Sequence, residues 1–312
     1  METKYYIKDD ILYFNWDFNE PLDAYTDIMK NCSIIIFSNY HNSGICFGSV
    51  FNQPLKNSLN QLSQLKELIF GYSFNRPLGN SLNHQTQLKE LTFGHYFNCP
   101  LGNSLDHQTQ LKELTFGYCF NHPLGNSLNH QTQLKELIFG NNFNHPLGNS
   151  LYRQTQLKEL TFGFEFNCPL GNSIDQQVQL TQLTFGSKFN CPLGNSLNQL
   201  VQLTQLTFGW AFNQELNIPL NIKKLKLDCN NINLIENLPN SIEELELNYH
   251  FNLELTNLPN SIKIISFDRY SKYNKELNNL PHFLEKLYLP NEYDKEIKNI
   301  NSQCVVLIQK IE

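Results

Sequence analysis

The sequence predicts a repeat solenoid built on a parallel β-sheet, consisting mostly of strand and coil with little helix. Phe-Asn pairs begin at residues 51, 74, 97, 120, 143, 166, 189 and 212, which makes seven consecutive steps of 23 residues. Of the 15 glycines, 14 fall at two positions of this repeat, and 12 of the 13 prolines follow the same periodicity. A fixed period of this length is typical of stacked supersecondary units.

The repeat unit reads F-N-x-P-L-G-N-S-L-x-x-Q-x-Q-L-x-x-L-x-F-G-x-x, numbered here as positions 1 to 23 from its Phe. Its L-x-x-L-x-F segment, as in Leu111 to Phe116, places alternating apolar side chains on one face and predicts one short strand. Later copies replace the Gly at position 21 by Asp228, Asn248 and Asp268, residues that tolerate positive φ, which predicts a left-handed turn there. One strand cannot bury its own apolar side chains, so the copies must stack.

The repeat divides the chain into four regions. Residues 1–50 are predicted to be an N-terminal cap with degenerate repeats, because Leu12 to Phe14 and Ile35 to Phe37 are 23 residues apart. Residues 51–211 hold seven 23-residue repeats, residues 212–290 shorter degenerate repeats, and residues 291–312 a C-terminal cap whose strand lies near 304–309. The segment from Ser38 to Gly44 is either a hairpin or a break in the stack.

The tandem F-N-x-P-L and L-K-E-L-x-F-G motifs resemble the FNIP-repeat family of amoebae and their giant viruses, over residues 51 to about 290. The resemblance implies a leucine-rich-repeat-like horseshoe with its parallel sheet on the concave side. Many members of that family carry an N-terminal F-box, which docks a ubiquitin ligase core. Residues 1–50 lack the usual Leu-Pro opening of an F-box and the length that it needs before the repeats begin.

Composition excludes several classes of function. The net charge of −6 argues against nucleic acid and anionic membranes as partners, and the apolar runs are far too short to span a membrane. The eight cysteines lack zinc-finger or CxxC spacing, and the first ten residues do not resemble a signal peptide. Both observations favour a cytoplasmic protein, which would lie in the host cytosol if the protein is viral. Catalytic motifs are missing, and no cofactor is predicted.

Position 22, directly after the predicted strand, is the most variable position of the repeat. Large aromatic side chains alternate there with His95, Asn141 and Ser187. Exposed aromatic residues on a rigid concave surface are typical anchors for a protein partner. The alternative is that these rings pack onto the edge of the coil. The aromatic members are Tyr72, Tyr118, Phe164 and Trp210.

The Asn at position 2 is predicted to form a buried ladder in which each amide pairs with the backbone of the neighbouring coil. Its members are Asn52, Asn75, Asn98, Asn121, Asn144, Asn167, Asn190 and Asn213.

Two further columns of side chains have candidate chemistry. Position 3 holds the candidate metal ligands Cys99, His122, His145, Cys168 and Cys191. Because these side chains form a straight column with about 4.8 Å between coils, at most two or three of them could bind the same ion. No metal site is therefore predicted. Position 11 holds His84, His107 and His130, predicted to be solvated on the outer turn.

Positions 16 and 17 carry a lysine column beside a glutamate column, which we expect to neutralise each other. Their members are Lys66, Lys89, Lys112, Lys135 and Lys158, and Glu67, Glu90, Glu113, Glu136 and Glu159.

Together these patterns predict a non-enzymatic protein-interaction scaffold that binds an unknown protein partner on a rigid solenoid surface. The alternative is the substrate-recognition component of an F-box-type ubiquitin ligase, whose partners would include ubiquitin ligase subunits.

Overall fold

The computed structural model describes residues 4–38 and 48–310 of the chain. They form a parallel β-solenoid of about 13 turns in which successive coils add strands to one sheet of 15 strands. Two short strands pair separately in a second sheet. The predicted solenoid with a parallel sheet and little helix is confirmed.

The strands of both sheets are numbered together in chain order. They are β1 (Tyr5–Lys8), β2 (Ile11–Phe14), β3 (Ile34–Phe37), β4 (Glu67–Ile69), β5 (Glu90–Thr92), β6 (Glu113–Thr115), β7 (Glu136–Ile138), β8 (Glu159–Thr161), β9 (Gln182–Thr184), β10 (Gln205–Phe208), β11 (Lys224–Leu227), β12 (Glu244–Leu247), β13 (Ile264–Phe267), β14 (Leu277–Asn278), β15 (Lys286–Leu289), β16 (Ile297–Lys298) and β17 (Val305–Ile308). The second sheet consists of β14 and β16.

Helix is confined to single turns: a 3-10 turn at Leu22–Tyr25, α1 at Thr26–Met29 and α2 at Ile232–Glu236. None of these described helices has the length and apolarity needed to cross a membrane.

Strand pairing in the main sheet is parallel from β2 to β17, with equivalent residues of successive copies directly opposite each other. The one antiparallel pair is β1 with β2, closed by the two-residue turn Asp9-Asp10, in which Asp9 has φ 57°. Sequence periodicity did not indicate β1, because a hairpin strand has no counterpart in the repeat. The predicted terminal strand near 304–309 is β17.

The core is a double row of phenylalanine rings beside a row of leucines. Rings at position 20 stack on their copies with centroids 5.4–5.9 Å apart, and rings at position 1 do so at 5.9–6.1 Å. Within each coil the two rings also stack, as Phe93 does on Phe97 at 3.9 Å. Since each aromatic pair contributes about 0.5–1.5 kcal/mol beyond its buried area, the stacked rows stabilise every coil against its neighbours.

The left-handed turn lies at position 6 in the regular repeats; at position 21, where it was predicted, only Gly48 of the described glycines has positive φ, at 74°. Glycines at position 6 have φ between 50° and 54°, and Lys56 takes the same conformation in the first copy with φ 48°. The glycines of position 21 from Gly71 to Gly209 are required for a different reason, because the backbones of two neighbouring coils approach each other closely there. A Cβ added to Gly140 would lie 1.7 Å from the carbonyl oxygen of Gly117.

The first described residues belong to the solenoid. Residues 4–38 contribute β1, β2 and β3 to the sheet and contain a single turn each of 3-10 and α-helix. Within that range there is no separate helical bundle of the kind an F-box would add. Residues 39–44 of the segment predicted as a hairpin or a break lie outside the described residues.

Substitution of two glycines by alanine distinguishes these two roles. We expect Gly140→Ala to lower the free energy of unfolding by roughly 3 kcal/mol, because the new methyl group displaces the preceding coil. Gly125→Ala meets no atom within 4 Å and should cost about 1–2 kcal/mol, because an L-residue is strained at φ +54°. Urea denaturation measures both.

An asparagine at each position is the control. Asn tolerates the left-handed conformation, so Gly125→Asn should recover most of the stability that Gly125→Ala loses, whereas Gly140→Asn should be no better than Gly140→Ala. Equal recovery at both positions would contradict the roles assigned here.

Candidate functional site

The residues directly after each strand form a continuous border that we call the strand-end rim: positions 22 and 23 of the repeat and their equivalents in the later coils. Its backbone is fixed from coil to coil, because the N–H at position 23 donates to the carbonyl at position 22 of the preceding coil. The Tyr96 N–H lies 3.0 Å from the Tyr72 oxygen, and the Asn142 N–H 2.9 Å from the Tyr118 oxygen. Side chains on the rim are therefore held on a rigid base.

The predicted aromatic anchors are exposed on this rim. Tyr72 is 37%, Tyr118 45%, Phe164 39% and Trp210 47% exposed. They lie beside the sheet, past the end of each strand. The sheet face itself, where a concave site was expected, carries only the side chains of positions 17 and 19 of each strand.

Some rim rings stack along the solenoid. The His95 ring lies between those of Tyr72 and Tyr118, with centroid distances of 4.5 and 4.7 Å. Further along, the Lys188 ammonium lies 5.4 Å from the centroid of the Phe164 ring and forms an ion pair with Glu165 at 2.8 Å. These contacts fix the orientation of the rings while leaving part of each accessible.

The sequence argument missed three exposed rim tyrosines, Tyr96, Tyr249 and Tyr270. Tyr96 stands at position 23, one residue from the column that was considered, and contacts the Tyr72 ring edge to face at 5.0 Å. Tyr249 and Tyr270 lie in the shorter coils, where the 23-residue register no longer identifies equivalent positions. Aligning the residues that follow each predicted strand would have found them.

A shortened loop places Trp210 next to His250. After β11 the chain runs from Asp228 directly into buried Cys229, without residues equivalent to positions 22 and 23. The ring of Trp210 therefore reaches that of His250 across the coil, with 6.2 Å between centroids. The Asp228 carboxylate holds His250 through its Nδ1 and its backbone N–H, both at 2.9 Å.

The open sheet face carries an acidic column in its first half. Glu67, Glu90, Glu113, Glu136 and Glu159 are directly opposite one another on β4 to β8. Burial, followed by repulsion from neighbouring glutamates, raises the pKa of Glu67, Glu113 and Glu136 above its ordinary value.

The expected neutralisation of this column by the adjacent lysines is only partial: burial and the neighbouring glutamates raise the pKa of Glu113 more than the charge of Lys112 lowers it. Within residues 4–38 and 48–310, none of the five glutamates forms an ion pair with a lysine of position 16. Lys135 is exposed and Glu136 is half-buried, so both charges remain solvated without a direct contact. Ion pairs on this face occur further along, where Lys224 lies 2.6 Å from Glu246.

The position 2 asparagines form a ladder on the surface and not in the interior. The Oδ1 of each accepts a hydrogen bond from the backbone N–H of the next asparagine, for example Asn98 Oδ1 from the Asn121 N–H at 2.9 Å. The side chains are exposed or half-buried, as expected where the same edge of every coil faces water. The ladder therefore joins neighbouring coils, but the predicted burial is wrong.

The buried amides are glutamines at position 12, for which the sequence analysis had assigned no role. They are fully buried, and each donates through Nε2 to the carbonyl of a leucine in the preceding coil. The members are Gln85, Gln108, Gln131, Gln154 and Gln177.

The cysteines and histidines of position 3 contact the asparagine ladder. His122 Nε2 lies 3.1 Å from the Asn98 carbonyl oxygen, and Cys168 Sγ lies 3.4 Å from Asn144 Oδ1. Burial raises the pKa of the Cys99, Cys168 and Cys191 thiols, which disfavours the thiolate that a metal requires. Among the described residues, no three His, Cys, Asp or Glu side chains are placed to hold a metal ion.

The glutamate column predicts a pH dependence of stability. A carboxyl group whose pKa is higher in the folded state binds its proton more readily there, so stability rises as the pH falls from 7 through the raised pKa. We expect Glu136→Gln to increase the free energy of unfolding at pH 7 by about 0.2–1 kcal/mol and to weaken this pH dependence in urea melts.

Glu243→Gln is the matched control. Hydrogen bonds and ion pairs with Lys223 and Lys263 lower the pKa of Glu243, so this substitution should reduce stability at pH 7. A loss of stability from Glu136→Gln as well would show that the column is neutralised after all.

Comparison with known proteins agrees with the fold. Residues 230–270 match the model of the FNIP Repeat family. These residues lie within the shorter coils and inside the range over which the sequence resembles that family. No curated protein matches the sequence of the chain.

Solved structures with the same fold are leucine-rich-repeat proteins. CroV588 of the giant virus CroV, described as a novel circular LRR protein, is 26% identical with a TM-score of 0.69; the match covers 98% of this chain and 50% of CroV588. The chain thus spans about half the length of CroV588. An internalin, InlF of Listeria monocytogenes, is 13% identical to this chain with a TM-score of 0.65. The match covers 97% of this chain and 87% of InlF. Residues 230–270 thus match the FNIP Repeat model within a leucine-rich-repeat-like solenoid.

Proposed function

We propose that the chain is a protein-interaction scaffold whose strand-end rim binds a protein partner. The observation that supports this most strongly is the distribution of exposed aromatic side chains. Among the described residues, seven of the ten exposed aromatic side chains lie on the rim. They are Tyr72, Tyr96, Tyr118, Phe164, Trp210, Tyr249 and Tyr270.

The geometry of the rim suits binding. Tyr and Trp contribute most of the binding energy at many interfaces, since they supply a large contact area with few rotatable bonds. Here backbone hydrogen bonds between coils already fix their base, so little conformational entropy remains to be lost on binding. The row from Tyr72 to Trp210 crosses six coil spacings, or roughly 30 Å, which is comparable with the width of a standard protein interface.

The open sheet face is a less favourable surface. A partner that covered it would have to desolvate the five glutamates of residues 67 to 159, none of which forms an ion pair with a lysine of the described chain. Neither this face nor the rim carries the basic surface that a nucleic acid requires, given a net charge of −6. No feature of residues 4–38 favours the alternative of an F-box-type ubiquitin ligase.

A reducing compartment such as the cytoplasm suits this scaffold. The seven cysteines in the described part of the chain all carry free thiols. Cys168 and Cys191 stand in adjacent coils as free thiols, and a reducing compartment would keep such thiols reduced.

Paired substitutions on the rim and on the outer turn test this proposal. Tyr118→Ser combined with Phe164→Ser should reduce capture of the main protein partner from amoebal or other host cells at least tenfold. Both rings are already exposed, so the melting temperature should stay within a few degrees of wild type.

The matched control is His107→Ser combined with His130→Ser. Both histidines are exposed on the outer turn, away from the rim, and their loss should leave capture intact. The opposite pattern, in which the histidine pair abolishes capture and the aromatic pair does not, would assign binding to the outer turn.

A further inference from the structure

A pocket interrupts the strand-end rim where one loop is longer than its neighbour. Five residues separate Phe267 at the end of β13 from the next core ring, Tyr273, whereas three separate Leu247 at the end of β12 from Phe251. The longer loop, with one coil on either side, encloses a pocket of about 240 Å³. Its lining includes Tyr249, Arg269, Tyr270, Lys272, Asn291 and Glu292.

Arg269 is the one unneutralised cation of this pocket among the described residues. Lys272 forms an ion pair with Glu292 at 2.6 Å, so those two charges cancel. The neighbouring Asp268 carboxylate accepts the Tyr270 N–H at 2.8 Å and forms no ion pair with Arg269. The Arg269 side chain itself makes no hydrogen bond, ion pair or ring contact with another described residue.

The other two arginines of the chain are placed differently. Arg76 donates through Nε to the Asn52 carbonyl oxygen at 2.9 Å and so belongs to the surface ladder. Arg153 is exposed on the outer turn beside Tyr152, outside the lining of this pocket. Arg269 combines an unpaired guanidinium with a pocket that two exposed aromatic residues also line, Tyr249 (48% exposed) and Tyr270 (56% exposed).

We infer that this pocket receives an aspartate or glutamate side chain of the protein that binds the rim. A guanidinium pairs with a carboxylate through two parallel N–H···O bonds, and the wall of the pocket, which includes Tyr249 and Tyr270, displaces part of the surrounding water and so strengthens the pair. The pocket has a net charge of one positive unit once Lys272 and Glu292 cancel, which matches one carboxylate. A phosphate dianion would leave excess negative charge on a chain that is already acidic.

The pocket would place this carboxylate next to the apolar anchors. Tyr249 contacts the His250 ring edge to face at 5.0 Å, and His250 in turn lies beside Trp210. A partner segment with an acidic residue close to an apolar one would therefore contact the pocket and Trp210 together. This inference rests on the proposed function, since the same partner is assumed to contact the rim.

The probe for this inference is a displayed library of random peptides, selected in parallel on the full wild-type chain, on Arg269→Gln and on the control Arg153→Gln. Wild type and the control should select peptides with Asp or Glu at a fixed position, and Arg269→Gln should not. Changing that acid to its amide in a synthetic peptide should weaken binding to wild type about tenfold and leave binding to Arg269→Gln unchanged.

Several results would overturn the inference: selection of no peptide by wild type, no fixed acidic position, an acidic position that survives Arg269→Gln, or equal losses with Arg153→Gln. Tighter binding of a phosphotyrosine in place of the acid would show that the pocket takes phosphate instead. Thermal melts of Arg269→Gln should match wild type, so misfolding cannot produce these outcomes. If capture of the natural partner is lost with the Tyr118 and Phe164 pair but not with Arg269→Gln, the rim proposal stands and the pocket inference fails.

Discussion

Every residue of a regular coil stacks on its own copy in the next coil, and the rest of the structure depends on this constraint. At about 4.8 Å between strands, a side chain at one position meets the side chain at the same position one repeat later. Phe and Leu gain from this contact, which is why two ring ladders and a leucine ladder fill the core. Gly is needed where the backbones themselves meet, as between Gly117 and Gly140.

The same constraint determines how polar residues are used. Amides join neighbouring coils through the backbone, asparagine on the surface as an acceptor through Oδ1 and glutamine in the interior as a donor through Nε2. Carboxylates cannot join coils in this way, and burial followed by repulsion between the stacked groups raises the pKa of Glu113 and Glu136. The strand-end rim is the part of the coil where the identity of the stacked side chains varies most, as where the His95 ring lies between those of Tyr72 and Tyr118.

Much of the fold follows from the sequence because it is periodic. The register of Leu114 with Leu137, and the match of Leu12 with Ile35, could be counted directly from the spacing. Features that depend on the direction of a side chain could not be derived from the spacing. Spacing alone does not show that the adjacent Lys135 and Glu136 form no ion pair with each other, or which amide ladder faces inward.

The candidate site was only half predictable for the same reason. The column of position 22 identified Tyr118 and Phe164, but the pocket at Arg269 and the contact of Trp210 with His250 arise where the repeat is broken. One loop is shorter and another longer than the regular unit, so no periodic argument places their side chains. In this solenoid the regular coils build the base of the rim, and the irregular ones give it individual recognition features.

The central claim is that the rim, and not the outer turn or the open sheet face, contacts the partner. Hydroxyl-radical footprinting of the chain, free and bound to its captured partner, tests this most directly because it reports on aromatic side chains individually. The account predicts that Tyr118, Phe164 and Trp210 become protected, while Tyr152 and Phe283, which are 61% and 64% exposed away from the rim, keep their reactivity. Protection of Tyr152 or Phe283 with the rim rings unchanged would contradict it.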